Sequence, residues 1–167
     1  MNLRKVAAGT ALALTLATGF IAPWEGKHNK AYLDIVQVPT ICYGHTRNVR
    51  LGDIKTDTEC TALLKAEVER IDNLITKNVK VSLRDRERAA LISFAYNVGD
   101  GALLRSTALK RFNMGDHVGG CNSLATKSFN AAGVCSGYGC GWAGGKMVRG
   151  LQNRRIAEKQ MCLGETQ

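Results

Sequence analysis

Glu25, Asp34 and Thr40 are the residues whose types and spacing could do chemistry together. Eight residues separate the glutamate from the aspartate, and five separate the aspartate from the threonine. Two carboxyl groups and a hydroxyl can break a glycosidic bond with inversion. One carboxylic acid protonates the leaving oxygen, and the other, as carboxylate, activates a water on the far face of the sugar. A hydroxyl can hold that water, because it both donates and accepts. Out of context the same trio reads more simply as three ordinary surface side chains.

The elements that must position the trio follow from the local pattern. Glu25 comes after an apolar stretch and should end a helix. Residues 32–45 carry Val36, Val38, Ile41 and Tyr43, are interrupted by Pro39, and read as a short hairpin. A glutamate at a helix end, facing an aspartate and a threonine on a hairpin, would line a cleft. Residues 46–55 are polar, include Gly52 and read as a loop. Thr56 and Glu59 have capping-box spacing and open a helix with Leu63, Leu64, Val68, Ile71, Leu74 and Ile75 on one stripe. Its charges (Lys65, Glu67, Glu69, Arg70) read as a solvated face. Residues 84–98 turn from charged to almost wholly apolar, the pattern of a central buried helix in which Phe94 and Tyr96 are core residues. A shorter helix over 102–113, a turn at 114–116, a small helix over 118–126 and a final helix over 148–163 complete the expectation.

Three blocks carry a resemblance. E-G-x5-Y-x-D-x5-T-x3-G-H runs from Glu25 to His45; residues 85–113 form the second; W-A-G-G-K-x3-G-L-x2-R-R-x2-E runs from Trp142 to Glu158. In this order they resemble the phage-type lysozymes, glycoside hydrolase family 24, over roughly residues 20–163. Within that family they are most similar to lambdoid-phage endolysins that carry a signal-arrest-release N-terminus. The resemblance implies a mainly helical α+β fold: a small β-hairpin lobe and a larger helical lobe around a cleft. It implies hydrolysis of the β-1,4 bond between N-acetylmuramic acid and N-acetylglucosamine in peptidoglycan, leading to host lysis, with no cofactor. Glu25 would be the general acid, and Asp34 and Thr40 would position and activate water. Tyr43, Gly44, His45, Asn97 and Thr107 would be groove residues, although His45 reads equally as a structural hydrogen-bonding histidine. Arg154 matches the arginine that reaches back to the catalytic glutamate. A cation beside a carboxylate favours its ionised form, whereas a general acid must carry a proton. Orienting Glu25 is therefore the expected role of Arg154. Residues 128–145 depart from the family: an extra Gly-rich stretch intervenes and reads as a surface loop. It lacks the motifs that cradle phosphates.

Two other readings differ in class. A lytic transglycosylase needs one glutamate and makes anhydro-muropeptides; Asp34 and Thr40 argue against it. A membrane-anchored wall-binding module would need no Glu25 at all.

The net charge is +9. Lys and Arg are scattered rather than massed in one cluster, which disfavours a nucleic-acid arm. Attraction to an acidic wall suits the surface better, and solubility is the plainer alternative. At 167 residues the chain is one modest domain, or a domain plus a targeting segment, and the expected oligomeric state is a monomer.

Arg4 and Lys5 precede an uncharged run over 6–22. Those 17 residues make about 25 Å of helix at ~1.5 Å per residue, against a bilayer core of about 30 Å. Six Ala, three Thr and two Gly dilute the large apolar residues, so insertion should be weak. The basic start predicts that the export machinery leaves the N-terminus inside and the remainder facing the periplasm. A cleaved signal peptide fits the charged start but not the expected cut, since Ala22 would leave Pro23 first and Phe20 lies close before it; a cut within 17–19 stays open. The division expected is 1–24 as a weakly hydrophobic segment and 25–167 as the catalytic domain. By resemblance the helix ending at the catalytic glutamate packs on the domain, and here that helix, about 15–24, lies in the hydrophobic run. It cannot span lipid and pack on protein at once. The expectation is a switch: anchored in the inner membrane first, then released into the periplasm with the cleft completed.

Six cysteines (42, 60, 121, 135, 140 and 162) behind an export-like segment suggest three disulfides. Six buried thiols are the alternative, and fifteen pairings are open from the sequence. The pairing expected is Cys42–Cys60, Cys121–Cys162 and Cys135–Cys140. No CxxC or His pair at ligand spacing suggests a metal.

Overall fold

The computed structural model describes residues 3–34, 37–129, 135–143 and 146–165. Val36 of the expected hairpin, part of the Gly-rich stretch, and Gly144 and Gly145 of the third block lie outside the described residues.

The first helix, α1 (Leu3–Glu25), begins earlier than the expected 15–24. Alanine- and leucine-rich sequence continues the helix upstream with nothing to stop it. Ala13, Ala17 and Ile21, four residues apart, are wholly buried. Small side chains at the first two positions let the backbone lie close to its neighbour. Leu12, Leu16 and Trp24 stay exposed on the other face. Gly26, at φ +67°, takes the left-handed conformation that ends the helix just past Glu25. Among the described residues, no helix is long and apolar enough to cross a membrane.

Strands β1 (His28–Leu33) and β2 (Pro39–Cys42) pair antiparallel, with Tyr32 opposite Thr40 and Leu33 opposite Pro39. The hairpin therefore starts before residue 32 and closes before residue 45. Helix α2 (Asp57–Asn78) opens on the expected box: Thr56 Oγ1 accepts from Glu59 N at 3.2 Å, and Thr56 N donates to Glu59 Oε2 at 2.7 Å. Its inner stripe of Leu64, Val68, Ile71 and Ile75 is buried.

Helix α3 (Asp85–Val98) is the axis of the molecule. Residues 89–95 are all buried, with α1, α2 and α7 packed around them. Gly99, at φ +84°, turns the chain sharply into α4 (Asp100–Arg105). The single helix expected over 102–113 is two. Ser106 takes an extended conformation (ψ 147°), and its Oγ accepts from Leu109 N at 3.1 Å, capping α5 (Thr107–Asn113). A serine that can satisfy the next helix's N–H competes with continuing the previous one. Helix α6 (His117–Ser123) and the last helix, α7 (Arg149–Leu163), follow.

The Gly-rich stretch is not a plain surface loop. Short pairs β3 (Ser128–Phe129) with β4 (Cys135–Ser136), and β5 (Trp142–Ala143) with β6 (Lys146–Met147), flank a 3-10 turn, Tyr138–Cys140. The Tyr138 ring meets Phe94 edge-on at 4.7 Å, its hydroxyl donates to the Ala102 carbonyl at 3.3 Å, and Gln152 Nε2 donates to the Cys140 carbonyl at 3.0 Å. One aromatic anchor and one buried cysteine are enough to dock a stretch whose glycine content reads as loop.

Disulfides join Cys42 to Cys60, Cys121 to Cys162 and Cys135 to Cys140. Two apolar clusters result. The large one gathers α1, α2, α3, α6 and the Cys162 end of α7; the small one holds Ala31, Ile41, Cys42 and Cys60 beneath the hairpin. Tyr43 packs against both. This is a mainly helical α+β fold with two lobes of unequal size.

Candidate active site

Glu25 is the last residue of α1, so the packing of α1 on α3 decides where its carboxylate stands. The side chain keeps 19% of its surface exposed. Arg154 Nη1 donates to Glu25 Oε1 at 2.5 Å, from a side chain only 3% exposed. The other carboxylate oxygen faces the turn after the hairpin: a Cβ placed on Gly44 would lie 3.6 Å from Glu25 Oε2. Gly44 sits at φ +83°, a conformation that favours glycine.

Asp34 and Thr40 stand at the two sides of the hairpin's turn. Asp34 Oδ1 accepts from Val38 N at 2.9 Å, and the Asp34 carbonyl accepts from Gln37 N at 3.0 Å, so the aspartate folds its own turn. Thr40 is 3% exposed, and its hydroxyl donates to the Val38 carbonyl at 2.9 Å. With the proton committed there, the oxygen is left to act as an acceptor.

The groove candidates divide. Tyr43 bridges the lobes, and its carbonyl accepts from the Tyr96 hydroxyl at 2.5 Å. Burial pushes the Tyr96 phenol up, and the Glu25 and Glu67 carboxylates push it the same way, so it remains a donor. His45 Nε2 donates to the Arg47 carbonyl at 3.0 Å, and its backbone exchanges two bonds with Ile41, which ties the ring to the turn. A small cleft of about 100 Å³ runs between Gly44, His45, Thr46, Arg47, Glu67 and Tyr96. Asn97 is exposed at the end of α3, and its Oδ1 accepts from Arg155 Nη2 at 3.2 Å. It borders a second cavity, about 450 Å³, with Arg155, Leu151 and Tyr138. Thr107 is exposed at the start of α5; among the described residues, no hydrogen bond or ion pair joins it to these groups.

Three residues outside the expected set complete the site. Glu158, with no exposed surface, accepts from Ser93 Oγ at 2.7 Å, Arg155 Nη2 at 2.9 Å and Arg154 Nε at 3.3 Å. Arg155 lies over the Phe94 ring at 5.0 Å, a cation–π contact. Burial lowers the Arg155 guanidinium and raises the Glu158 carboxyl, while each charge opposes the shift of the other. The signal for this cluster is the spacing of Arg154, Arg155 and Glu158, which puts all three within one helical turn. Ser93 carries no such signal. No group of described residues has the donor set of a metal site.

The comparison with known proteins follows from this geometry. The family model described as Phage lysozyme matches residues 22–158. The chain belongs to the phage lysozyme family. The SAR-endolysin of Pseudomonas phage phiKMV is 40% identical to this lysozyme over 156 residues, covering 93% of this chain and 89% of the relative. The SAR-endolysin of Bacteriophage PS119 is 38% identical over 140 residues, covering 83% and 76%. Among solved structures, an endolysin from Escherichia coli O157:H7 phage FAHEc1 superposes with a TM-score of 0.71 at 29% identity, covering 95% of this chain and 94% of that one.

Proposed function

We propose that this lysozyme is an endolysin that degrades bacterial peptidoglycan and lyses the host, acting as a muramidase on the β-1,4 bond between N-acetylmuramic acid and N-acetylglucosamine. The observation that carries the reading is the partly exposed Glu25 carboxyl, held by buried Arg154 where α1 ends against the hairpin turn. In this reading Glu25 gives its proton to the leaving glycosidic oxygen. Asp34, as carboxylate, draws a proton from water on the opposite face of the sugar. Thr40, its hydroxyl donating to the Val38 carbonyl, accepts a hydrogen bond from that water. The turn at 43–45 and Asn97 offer groups that could bind the flanking sugars; Thr107 is a more distant candidate.

The test is product analysis on purified peptidoglycan. Glu25→Gln should lower turnover by roughly 10³-fold, within the span of general acid catalysis, with an unchanged circular dichroism spectrum. New reducing ends at N-acetylmuramic acid support a muramidase; anhydro-muropeptides would replace this mechanism with a transglycosylase one. Full activity of Glu25→Gln would remove Glu25 from the chemistry.

We infer further that residues 1–24 first hold the protein in the inner membrane, facing the periplasm, and afterwards supply α1. The buried Ala13, Ala17 and Ile21 face supports the second role, and the uncharged 6–22 run and the names of the relatives support the first. Gly9, Thr10 and Thr15 changed together to Leu should retain the protein in the membrane fraction and prevent lysis. Normal lysis by that variant would end the two-role account.

A further inference from the structure

One buried charge has no part in the chemistry proposed above. Glu158 meets no groove residue directly, yet it is as enclosed as any side chain in the core. Ser93 Oγ, Arg155 Nη2 and Arg154 Nε all converge on its Oε1, and its buried Oε2 has no partner among the described residues. A carboxylate half-satisfied in the interior is a poor stabiliser, and a packed apolar side chain would generally serve stability better.

The charges give it a different use. Two guanidiniums, Arg154 and Arg155, are buried side by side on α7. Arg154 bonds with Glu25 on one edge and with Glu158 on another. Without Glu158, Glu25 would be the sole carboxylate bonded to this pair. Taking up a proton would then leave two uncompensated buried cations beside it. With Glu158 ionised, the same step leaves one.

We propose that Glu158 is a positioning residue that offsets the buried arginine pair, so that Arg154 can orient Glu25 without preventing it from carrying the proton it delivers. This rests on the reading of Glu25 as the general acid. The arrangement separates two functions that a lone arginine would confuse: a bond for direction, supplied by Arg154, and a local charge close to balance, supplied by Glu158. The other groups facing the cluster do not substitute for it. From α3 come the Ser93 hydroxyl, the Asn97 amide and the Tyr96 phenol; from the 3-10 turn comes Tyr138; from α1 comes Glu25 itself. The Tyr138 hydroxyl donates to the Ala102 carbonyl and the raised Tyr96 phenol keeps its proton. Ser93 and the two guanidiniums donating to Oε1 favour the ionised form of Glu158 against its burial, so Glu158 supplies the compensating negative charge.

The experiment is the pH profile of kcat/KM on purified peptidoglycan for the wild type, Glu158→Gln, Glu158→Asp and Arg155→Met. The general acid must be protonated, so activity falls as pH rises through its ionisation. Removing the Glu158 charge favours the carboxylate form of Glu25 and should move this high-pH limb down by about one unit, the lower end of the effect of a charge at short range. Arg155→Met removes a cation and should move the limb up. Glu158→Asp should keep it near the wild-type position even if the melting temperature falls. A purely structural role predicts lower activity or stability with the limb unmoved in every variant, which would overturn the proposal. If Glu158→Gln does not fold, the direction of the Arg155→Met shift decides. Glu25→Gln in the same assay separates the two ideas: full activity there defeats the acid assignment itself, whereas an inactive Glu25→Gln with immobile limbs defeats only the role of Glu158.

Discussion

Arg154 on α7 and Glu25 at the end of α1 lie 129 residues apart in the chain and 2.5 Å apart in the fold. This bond closes the site across the large lobe. It depends on both helices packing on α3, which sets where the two side chains meet.

Arg154→Met should therefore cost more than a contact. It strands Glu25 and Glu158 beside a single cation, and breaking a buried pair of this kind costs about 3–5 kcal/mol. We expect a melting temperature lower by several degrees and turnover lower by at least roughly 100-fold, read by calorimetry and peptidoglycan solubilisation. Arg154→Lys keeps the charge but not the fork that reaches Glu25, Glu158 and the Ser93 carbonyl together, so it should rescue only part of the turnover.

Gly44 tests how closely the hairpin turn can approach Glu25. Gly44→Ala places a methyl 3.6 Å from Glu25 Oε2, an ordinary contact, but forces a side chain into φ +83°. The expected cost is about 1–2 kcal/mol of stability, with turnover changed only a few fold. Gly44→Val extends into the carboxylate and should lower turnover by roughly tenfold or more. Equal turnover in the two variants would show that Glu25 does not depend on this approach.

Glu87 gives a pH dependence of stability. Burial on α3 would push its carboxyl up, but the Arg84 side chain, the Arg84 backbone N–H and His117 together hold it below the ordinary carboxylate range. A carboxyl lower in the folded state than in the unfolded one adds stability above the unfolded value, and that stability is lost as pH falls through the folded value. Acid unfolding of the wild type should thus steepen below about pH 4.3, the ordinary value for glutamate. Glu87→Gln should flatten that slope in urea titrations at stepped pH.

The two longer disulfides should differ in worth. Cys42–Cys60 closes 18 residues of sequence separation and Cys121–Cys162 closes 41. Loop-closure entropy assigns them about 3 and about 4 kcal/mol. Paired serine substitutions, compared by urea unfolding, should preserve that order. Losing the first should also loosen the hairpin's hold on α2 and so raise KM.

Much of the site is written locally. Gly26 after Glu25, the box at Thr56 and Glu59, and the apolar run of α3 are short-range signals, and each lands close to where its pattern points. The early start of α1 at Leu3 is not legible, because a weakly hydrophobic, alanine-rich sequence carries no start signal of its own. The break at Ser106 is hidden because one serine inside an apolar-periodic stretch has the look of a tolerated helix residue, and only the fold brings its hydroxyl to cap Leu109. The cluster around Glu158 is illegible for a different reason. Ser93 and Glu158 are 65 residues apart, and only packing reveals that they meet. Tyr138 belongs with them, an anchor concealed by its glycine-rich neighbours.

All three cross-links lie beyond Glu25: one ties the hairpin to α2, one ties α6 to α7, and one closes the stretch around the 3-10 turn. Helix α1 has none. Among the described residues, it is bound to the body by side-chain packing and by the Arg154–Glu25 pair. In the two-role reading proposed above, the stapled remainder would hold its shape while α1 moves as a single piece, and docking of α1 would carry Glu25 into the cleft.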